Sequence, residues 1–486
     1  MLRHCFPSSV RRTLDTLPES LDETYERILR EIKKPNRDHA LRLLQCLVVA
    51  TRPLRVEELA EVMAVDFDSA DGIPKLNPDW RWEDQEQALL SSCSSLITIV
   101  NINDTDDNDD NNDNVNTSDN ANNNADDDAD DDDDNLYHLF SDDYGDGDGN
   151  DKGNDNDVVV ETRIVQFSHF SVKEFLTSPR LVAPSRDVSH YHILLEPAHT
   201  IMSQACLSIL LGSDDPVDHT SAGMNSPLAG YAAQHWVTHA QFGNVSLHLQ
   251  NAMECLFDMG NPYFSGWLRL HNIDIPAQNS FLFSFKPDKG PGGSPLYYAA
   301  LCGFRDLVDY LIVKYPQQVN EIGGLYMTPA VAALAGGYFQ LARLLSRKGS
   351  SVEPRDFNMW SPLHWAAHYG DLEAMQVLLD CKADINSRTS IDRTPLHEAV
   401  GKNAGANGLT VVRFMLEHGA NANARMQGTT PLHLASKHGR SDVARLLIEH
   451  GAEVEAKDSR GRTPLQLASA EGRDEVVDLL LEYGTK

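Results

Sequence analysis

Apolar and polar positions in the last two hundred residues return with a period too long for any single helix or strand. After Pro295, Pro329, Pro362, Pro395, Pro431 and Pro464, spaced 34, 33, 33, 36 and 33 residues apart, the same order of residue types recurs. SPLHWAAHYGDLEAMQVLLDCKADINSR from Ser361, TTPLHLASKHGRSDVARLLIEHGAEVEAK from Thr429 and RTPLQLASAEGRDEVVDLLLEYG from Arg462 show it most clearly. In each unit a Ser or Thr stands before proline. This predicts a capped helix whose first turn loses nothing by proline's missing N–H. The helix carries small apolar residues (Ala366 and Ala367, Ala399, Ala435, Ala468), so its neighbours can approach closely. Gly370, Gly439 or Gly472 then breaks it. A second helix follows with Val377, Leu378 and Leu379, or Val443, Leu446 and Leu447, on one stripe, and Gly419 or Gly451 ends it. No unit can enclose its own apolar face, so six units are expected to stack as a solenoid.

Upstream the period changes. LDETYERILREI places Leu21, Tyr25, Ile28, Leu29 and Ile32 on one helical stripe, with Ser20 and Glu23 as a capping box. Pro35 ends that helix. Ala40, Leu43, Leu44, Leu47 and Val48 form a second stripe, VEELAEVM a third helix and EDQEQALLSSC a fourth. SLITIV (95–100) and VVVETRIVQF (158–167) read as strands, and HFSVKEFL as a closing helix capped by Ser171 and Glu174. Short helices followed by two strands is the order of a winged-helix domain, here over 1–181 with 101–157 as the wing loop. From 182 to 290, EPAHTIMSQACLSILL, PLAGYAAQHWVTHA and VSLHLQNAMECLFDM predict a helical bridge. The predicted architecture is mainly α: a solenoid preceded by a small α+β winged-helix domain and that bridge.

The repeats at 293–486 resemble the ankyrin repeat, because the spacing, the T-P-L-H core and both glycines recur in phase. Tyr297 and Val331 stand where the core histidine is expected, so the first two units are degenerate. Unit four has three extra residues near Lys402–Asn407, placed in the turn between its helices. The resemblance implies that His364, His397 and His433 tie helix starts to adjacent turns rather than bind metal. It also implies that a ligand lies on the concave side, formed by hairpin tips and first helices. The variable positions there are Trp360, Trp365, His368, Tyr369, Arg393, Glu398, Lys437, His438, Arg460 and Arg462. Trp360 and Trp365 with Tyr369 have the character of interface anchors. Packing of the two tryptophans against the neighbouring repeat is the alternative. With 20 basic and 22 acidic residues, the array suits a protein partner rather than a polyanion.

Charge sharpens the reading elsewhere. The 486-residue chain has 41 Lys and Arg against 72 Asp and Glu, net −31. Residues 103–157 alone contribute 22 Asp and one Lys, and 14 Asn. Such a segment cannot bury enough surface to offset its ordering entropy and is expected to be disordered. Its Asp-rich frames fail as calcium loops: Asp151 stands where a glycine is needed, and Val159 where a bidentate Glu is needed. Glu83, Asp84 and Glu86 on the fourth helix, together with that loop, oppose phosphate binding, so nucleic acid is not an expected partner.

LPESLDETYERIL, RPLRVEELAEV, CSSLI, VQFSHFSVKEFL and YAAQHWVTH resemble segments that follow the nucleotide-binding domain in fungal NACHT-ankyrin proteins, relatives of NOD-like receptors. That resemblance runs from about Leu2 to Leu270. It implies that His169, in the run Phe167, His169, Glu174, Phe175, touches the β-phosphate of ADP when a NACHT domain is supplied. Read from its position alone, His169 is a partly buried strand-end histidine with one partner. No G-x-x-x-x-G-K-[ST] phosphate loop occurs, and Gly401–Lys402 is followed by Asn403 inside a repeat. No ATP or GTP hydrolysis is expected of this chain, which reads as a fragment or as a gene product without its front half.

The seven cysteines are at least 41 residues apart, which disfavours a disulfide or zinc framework. His235 and His239 have metal-compatible i, i+4 spacing but no identified third ligand. No apolar run approaches a membrane span. The expectation is a cytoplasmic chain, the nucleus remaining open, that is not an enzyme and has no cofactor, metal or small-molecule substrate. It would be a protein–protein interaction module of a NACHT-type signalling or innate-immunity-like protein. The alternatives are the regulatory part of a nucleotide-dependent switch, or a degenerate gene fragment.

Overall fold

Ser20 begins the described chain by doing what its sequence position predicts: its hydroxyl accepts the Glu23 N–H and starts α1 (Leu21–Glu31). The computed structural model describes residues 20–69, 72–93, 95–102, 162–182, 188–212, 226–271, 273–274, 292–356, 358–401 and 408–484. The Asp-rich segment 103–157, the extra residues Lys402–Asn407 and the start of the NACHT-like resemblance before Ser20 lie outside them. Two units are distinguished, one comprising 1–98 with 165–486, the other 99–164. The described part of the second is the distal portion of two strands.

Helix α1 buries Tyr25 and Leu29, while Leu21, expected on the same stripe, is 58% exposed in its first turn. After α2 (Arg37–Val49), the short β1 (Leu54–Arg55) leads into α3 (Val56–Met63), and a hairpin of β2 (Val65–Asp66) and β3 (Lys75–Leu76) pairs antiparallel, Val65 opposite Leu76. Helix α4 (Gln85–Cys93) precedes β4 (Ile97–Ile102), β5 (Thr162–Phe167) and α5 (Phe170–Thr177); the larger sheet has the order β1-β5-β4. The α5 cap differs from the expected Ser171. His169 caps it through Nδ1, which accepts the Ser171 N–H at 3.3 Å, since the Ser171 hydroxyl is engaged by Tyr25 and His169.

The following segment contains α6 (Leu195–Leu211), α7 (Ala229–Ala240), α8 (Val245–His248), α9 (Gln250–Leu256) and α10 (Tyr263–Leu270). The helix expected from Val245 is interrupted at Leu249, which sits between α8 and α9. α6 packs on α2 and on α7. A buried chain of polar bonds stitches these elements: Thr51 N–H to Tyr231 Oη (3.2 Å), Tyr231 Oη to His239 Nε2 (2.8 Å) and His239 Nδ1 to His199 Nδ1 (2.8 Å). His235 is not in that chain; its ring packs on Tyr231. Arg52 grips the fully buried Glu58 with two bonds and lies over the Tyr231 ring.

Among the described residues, twelve helices in helix–turn–helix pairs complete the fold. The first helices are α11 (Pro295–Leu301), α13 (Pro329–Ala335), α15 (Pro362–Tyr369), α17 (Pro395–Val400), α19 (Pro431–Lys437) and α21 (Pro464–Ala470). Their partners are α12 (Arg305–Lys314), α14 (Phe339–Arg347), α16 (Leu372–Asp380), α18 (Gly408–Glu417), α20 (Ser441–Glu449) and α22 (Asp474–Gly484). The predicted alanines are buried, and Gly370, Gly439 and Gly472 take the left-handed conformation that ends a helix. The first repeat packs against the bridge helices: Trp236 of α7 is fully buried against Phe304, ring centroids 5.4 Å apart, and Asp258 accepts from Lys314 (3.0 Å) and Tyr315 (2.6 Å). Apolar surface left open by a terminal unit is thus covered by the bridge helices.

Candidate protein-binding surface

Each hairpin tip between repeats closes on a backbone hydrogen bond, spanning four residues except at Met426, where it spans three. Asp356 N–H donates to Trp360 O, Thr389 to Arg393 O, Met426 to Thr429 O and Asp458 to Arg462 O. Asp356 and Asp458 then use a carboxylate oxygen to accept the N–H groups two and four residues on. Positive φ recurs in these turns, at Met359, Asp392, Gly428 and Gly461. These tips carry the variable residues, and the helices behind them are held by the core histidines.

The histidine bonds determine a tautomer. His364 Nδ1 accepts the Ser361 N–H (3.2 Å), so its proton lies on Nε2, which donates to Arg393 O in the next tip (3.0 Å). His397 repeats this with Thr394 N–H and Thr429 O, and His433 with Thr430 N–H and Arg462 O. A protonated ring could not accept at Nδ1. Burial depresses the basicity of all three, His364 to about 3 and His397 to about 4. Where histidine is missing, other groups take over. Gln466 Oε1 accepts the Thr463 N–H, and Tyr297 Oη accepts the Tyr326 N–H at 3.0 Å while donating to Asp274. At Val331 no side-chain polar atom exists, and Thr328 instead donates to Ser351 O at 2.7 Å.

In the third unit the structure gathers Trp360, Trp365, His368 and Tyr369. Trp360 and Trp365 ring centroids are 4.3 Å apart, His368 stands nearly edge-on to both at 6.0 and 6.2 Å, and Tyr369 stacks on Trp365 at 6.2 Å. Their accessibility differs. Tyr369 is 48% exposed, Trp360 and His368 are half-buried, and Trp365 is 8% exposed. Trp365 therefore backs the cluster, near the Asp356 carboxylate, whose charged form it favours. Burial pushes the Asp356 carboxyl above its ordinary value despite the bonds it accepts. Beneath lies Glu398, 3% exposed, its oxygens shared between the Arg393 guanidinium and His368 Nδ1 (3.4 Å). Lys437 and His438 lie half-buried at the end of α19, and Arg460 and Arg462 are exposed at the last tip, Arg462 paired with Asp458 at 3.0 Å. These four are two to three repeats away and do not join the aromatic cluster.

Asp356 and Met359 were not singled out from sequence, yet both belong to this surface; Met359 is 47% exposed. A signal existed: Asp356 and Asp458 share the tip position and spacing before Trp360 and Arg462. His169 is exposed at the α5 cap, not partly buried, and its ring packs on Phe170, itself 72% exposed. Among the described residues no group of three His, Cys, Asp or Glu has metal-binding geometry, and no helix is long and apolar enough to cross a membrane.

The family model described as ankyrin repeats (3 copies) matches 296–389, 330–426, 363–458 and 396–486. An azaphilone pigments biosynthesis cluster protein L of Monascus ruber is 26% identical over 348 residues, 70% of this chain and 61% of the relative. That length exceeds the repeats, so the likeness includes sequence before them. The ankyrin repeat protein nuc-2 of Neurospora crassa is 23% identical over 239 residues, 46% of this chain and 22% of its own length. A B-cell lymphoma 3 protein homolog of Mus musculus is 31% identical over 34% of this chain and 37% of its own. The chain thus spans less than two thirds of each of these relatives. A crystal structure of an ankyrin repeat domain from Acinetobacter baumannii aligns at TM-score 0.34 and 27% identity, over 39% of this chain and 97% of that one. The C-terminal residues 296–486 of this chain are ankyrin repeats, a protein–protein interaction module.

Proposed function

We propose that this chain is a non-enzymatic interaction module that holds a protein partner on the tip and first-helix side of its repeats. Trp360 and Tyr369 are the anchors, with His368, Arg393, Lys437, His438, Arg460 and Arg462 around them, and Trp365 and Glu398 set the shape from beneath. The observation that carries this reading is the partly open aromatic group at the third repeat, since half-exposed rings held rigidly by buried neighbours are the residues that concentrate binding energy. The proposed organisation is a winged-helix domain at 1–181, a helical bridge at 182–290 and six repeats at 293–486, in a cytoplasmic or nuclear NACHT-type signalling protein. The resemblance quoted above supports that context, as does the likeness to a fungal relative extending beyond the repeats.

The test is partner capture by proximity labelling, followed by titration of the purified partner against the wild-type chain. Tyr369→Ala and Trp360→Ala should weaken binding by about 2 kcal/mol each, while Arg445→Ala, on the second helix of its repeat, should leave it unchanged. Equal affinity in all three variants would refute the assignment. A second reading, the regulatory part of a nucleotide-dependent switch, draws support from the exposed His169. Micromolar binding of ADP or ATP to the isolated chain would favour it over the first.

A further inference from the structure

We infer that the bonded chain Thr51–Tyr231–His239–His199 is a one-proton switch: a positive charge arriving at His199 reverses every side-chain bond along it and weakens the hold of the bridge helices on the turn at Thr51.

The fixed end sets the direction. A backbone N–H can only donate, so the Tyr231 oxygen accepts from Thr51 N–H (3.2 Å), and the Thr51 hydroxyl is directed at the same oxygen from 3.4 Å. With the phenol oxygen's acceptor positions taken, its proton goes to His239 Nε2 at 2.8 Å. His239 then carries its own proton on Nδ1 and donates to His199 Nδ1 at 2.8 Å. His199 is left with its proton on Nε2. Every shared hydrogen points from the turn toward α6. Tyr231 and His239 are fully buried and cannot turn to water instead, whereas His199 is half-buried and Thr51 is exposed.

An imidazolium has no acceptor nitrogen, so a protonated His199 must donate from Nδ1. Protons balance when each moves one place. His239 passes its Nδ1 proton to His199, the phenol passes its proton to His239 Nε2, and the Thr51 hydroxyl passes its own to the phenol and takes one from water. The phenol then points its hydrogen at Thr51 Oγ1 across 3.4 Å, where a good O–H···O bond spans about 2.8 Å. The reversed chain thus ends on a poor bond at the turn, beside Arg52, which lies over the Tyr231 ring and grips Glu58.

The surroundings direct the charge to His199. Burial, then His199 and His235, hold His239 down to about 3, and burial pushes the Tyr231 phenol up to about 12, with Cys46 and Cys206 nearby. His235 faces Arg52, Glu58 and His271 and lies outside the chain of bonds. His199 faces Lys173 of α5, has Glu196 one turn before it on α6, and stacks on Phe242 at 4.1 Å. Burial, then Lys173, lowers its basicity below the ordinary 6.5, so the resting bonds are complete above that pH and are given up as pH falls.

The test takes two readouts on the full chain at about pH 7.5 and 5.5. In long-range proton–nitrogen NMR of histidine-labelled protein, His239, identified by its displacement in Tyr231→Phe, should carry its proton on Nδ1 at the higher pH and gain the Nε2–H form at the lower. In hydrogen exchange, corrected for the intrinsic effect of pH, peptides containing Thr51 should lose about threefold in protection. His199→Asn sets an amide near the Nδ1 position and has no proton to gain. Both changes should vanish in it, with melting temperature confirming that it is folded. One His239 tautomer at both pH values would overturn the inference. So would an equal loss of Thr51 protection in His199→Asn, because other histidines would then explain the acid response.

Discussion

Protonating His364, His397 or His433 breaks a bond that an imidazolium cannot remake, because Nδ1 must accept from the cap residue's N–H. In the unfolded chain these rings take up protons near pH 6.5, whereas in the folded chain they resist to about 3 and 4 for the first two. The depressed folded value means the stabilisation is complete above about pH 6.5 and is lost as pH falls toward the folded pKa. Urea unfolding at pH 7.5, 6 and 5 should therefore show stability falling by up to about 1.4 kcal/mol per pH unit for each such histidine below pH 6. His397→Gln keeps the cap bond as Gln466 does in the last unit, but gives up the donor to Thr429 O. It should cost about 1 kcal/mol at pH 7.5 and flatten the acid slope by one histidine's share. A flat profile from pH 7.5 to 5 would contradict the tautomer assignment. The resemblance to the ankyrin repeat implied these roles from sequence, whereas the burial of Trp365 and Glu398 was not legible, since tryptophan serves cores and interfaces alike and a buried glutamate depends on a partner such as Arg393.

Between elements, side chains stitch each loop to the next. Asn386 accepts the Asn421 N–H (2.8 Å) and donates to Gly419 O (3.3 Å), and Asn423 does the same with Glu453 N–H and Gly451 O. Asn386→Ala leaves two backbone groups of the next loop without these partners and should cost about 1 to 2 kcal/mol, read from the urea midpoint. At the neighbouring tip Gly428 holds φ +89°, and a Cβ there would lie 2.8 Å from the Ser459 backbone nitrogen. Gly428→Ala should destabilise by about 1 to 3 kcal/mol, and a neutral effect would show that the tips are not in close contact. Helix positions and breaks were readable because proline and glycine act locally. The cap shift from Ser171 to His169 was not, because it depends on Tyr25, 146 residues away in sequence, engaging the serine hydroxyl.

Across the whole larger unit, the bridge helices and the first repeat share one aromatic core. Trp236 contacts Phe257, Trp267 and Phe304, and Trp267 donates to Ala233 O at 3.0 Å. Trp236→Ala should cost about 3 to 5 kcal/mol and lower the unfolding of bridge and repeats together. In a solenoid, stability is carried by neighbouring interfaces, so losing the covered end exposes the first repeat to fraying. Hydrogen exchange should then rise first at Pro295–Lys314; unchanged protection there would show that the repeats hold without the bridge.

What the residue order determined by itself is everything governed by short range: the six repeat units, their caps and breaks, and the apolar stripes of the helices upstream. These follow from backbone preferences and from which face of a helix is apolar, and neither needs a distant partner. The tertiary structure alone decided which variable residues meet. Trp365, His368 and Tyr369 already share one short helix, but Glu398 joins them because stacking sets residue 398 of one repeat beneath the helix of the repeat before it. It likewise made Tyr231, His239 and His199 one buried chain of bonds, because packing α6 on α7 brings their polar atoms within reach once water has been excluded.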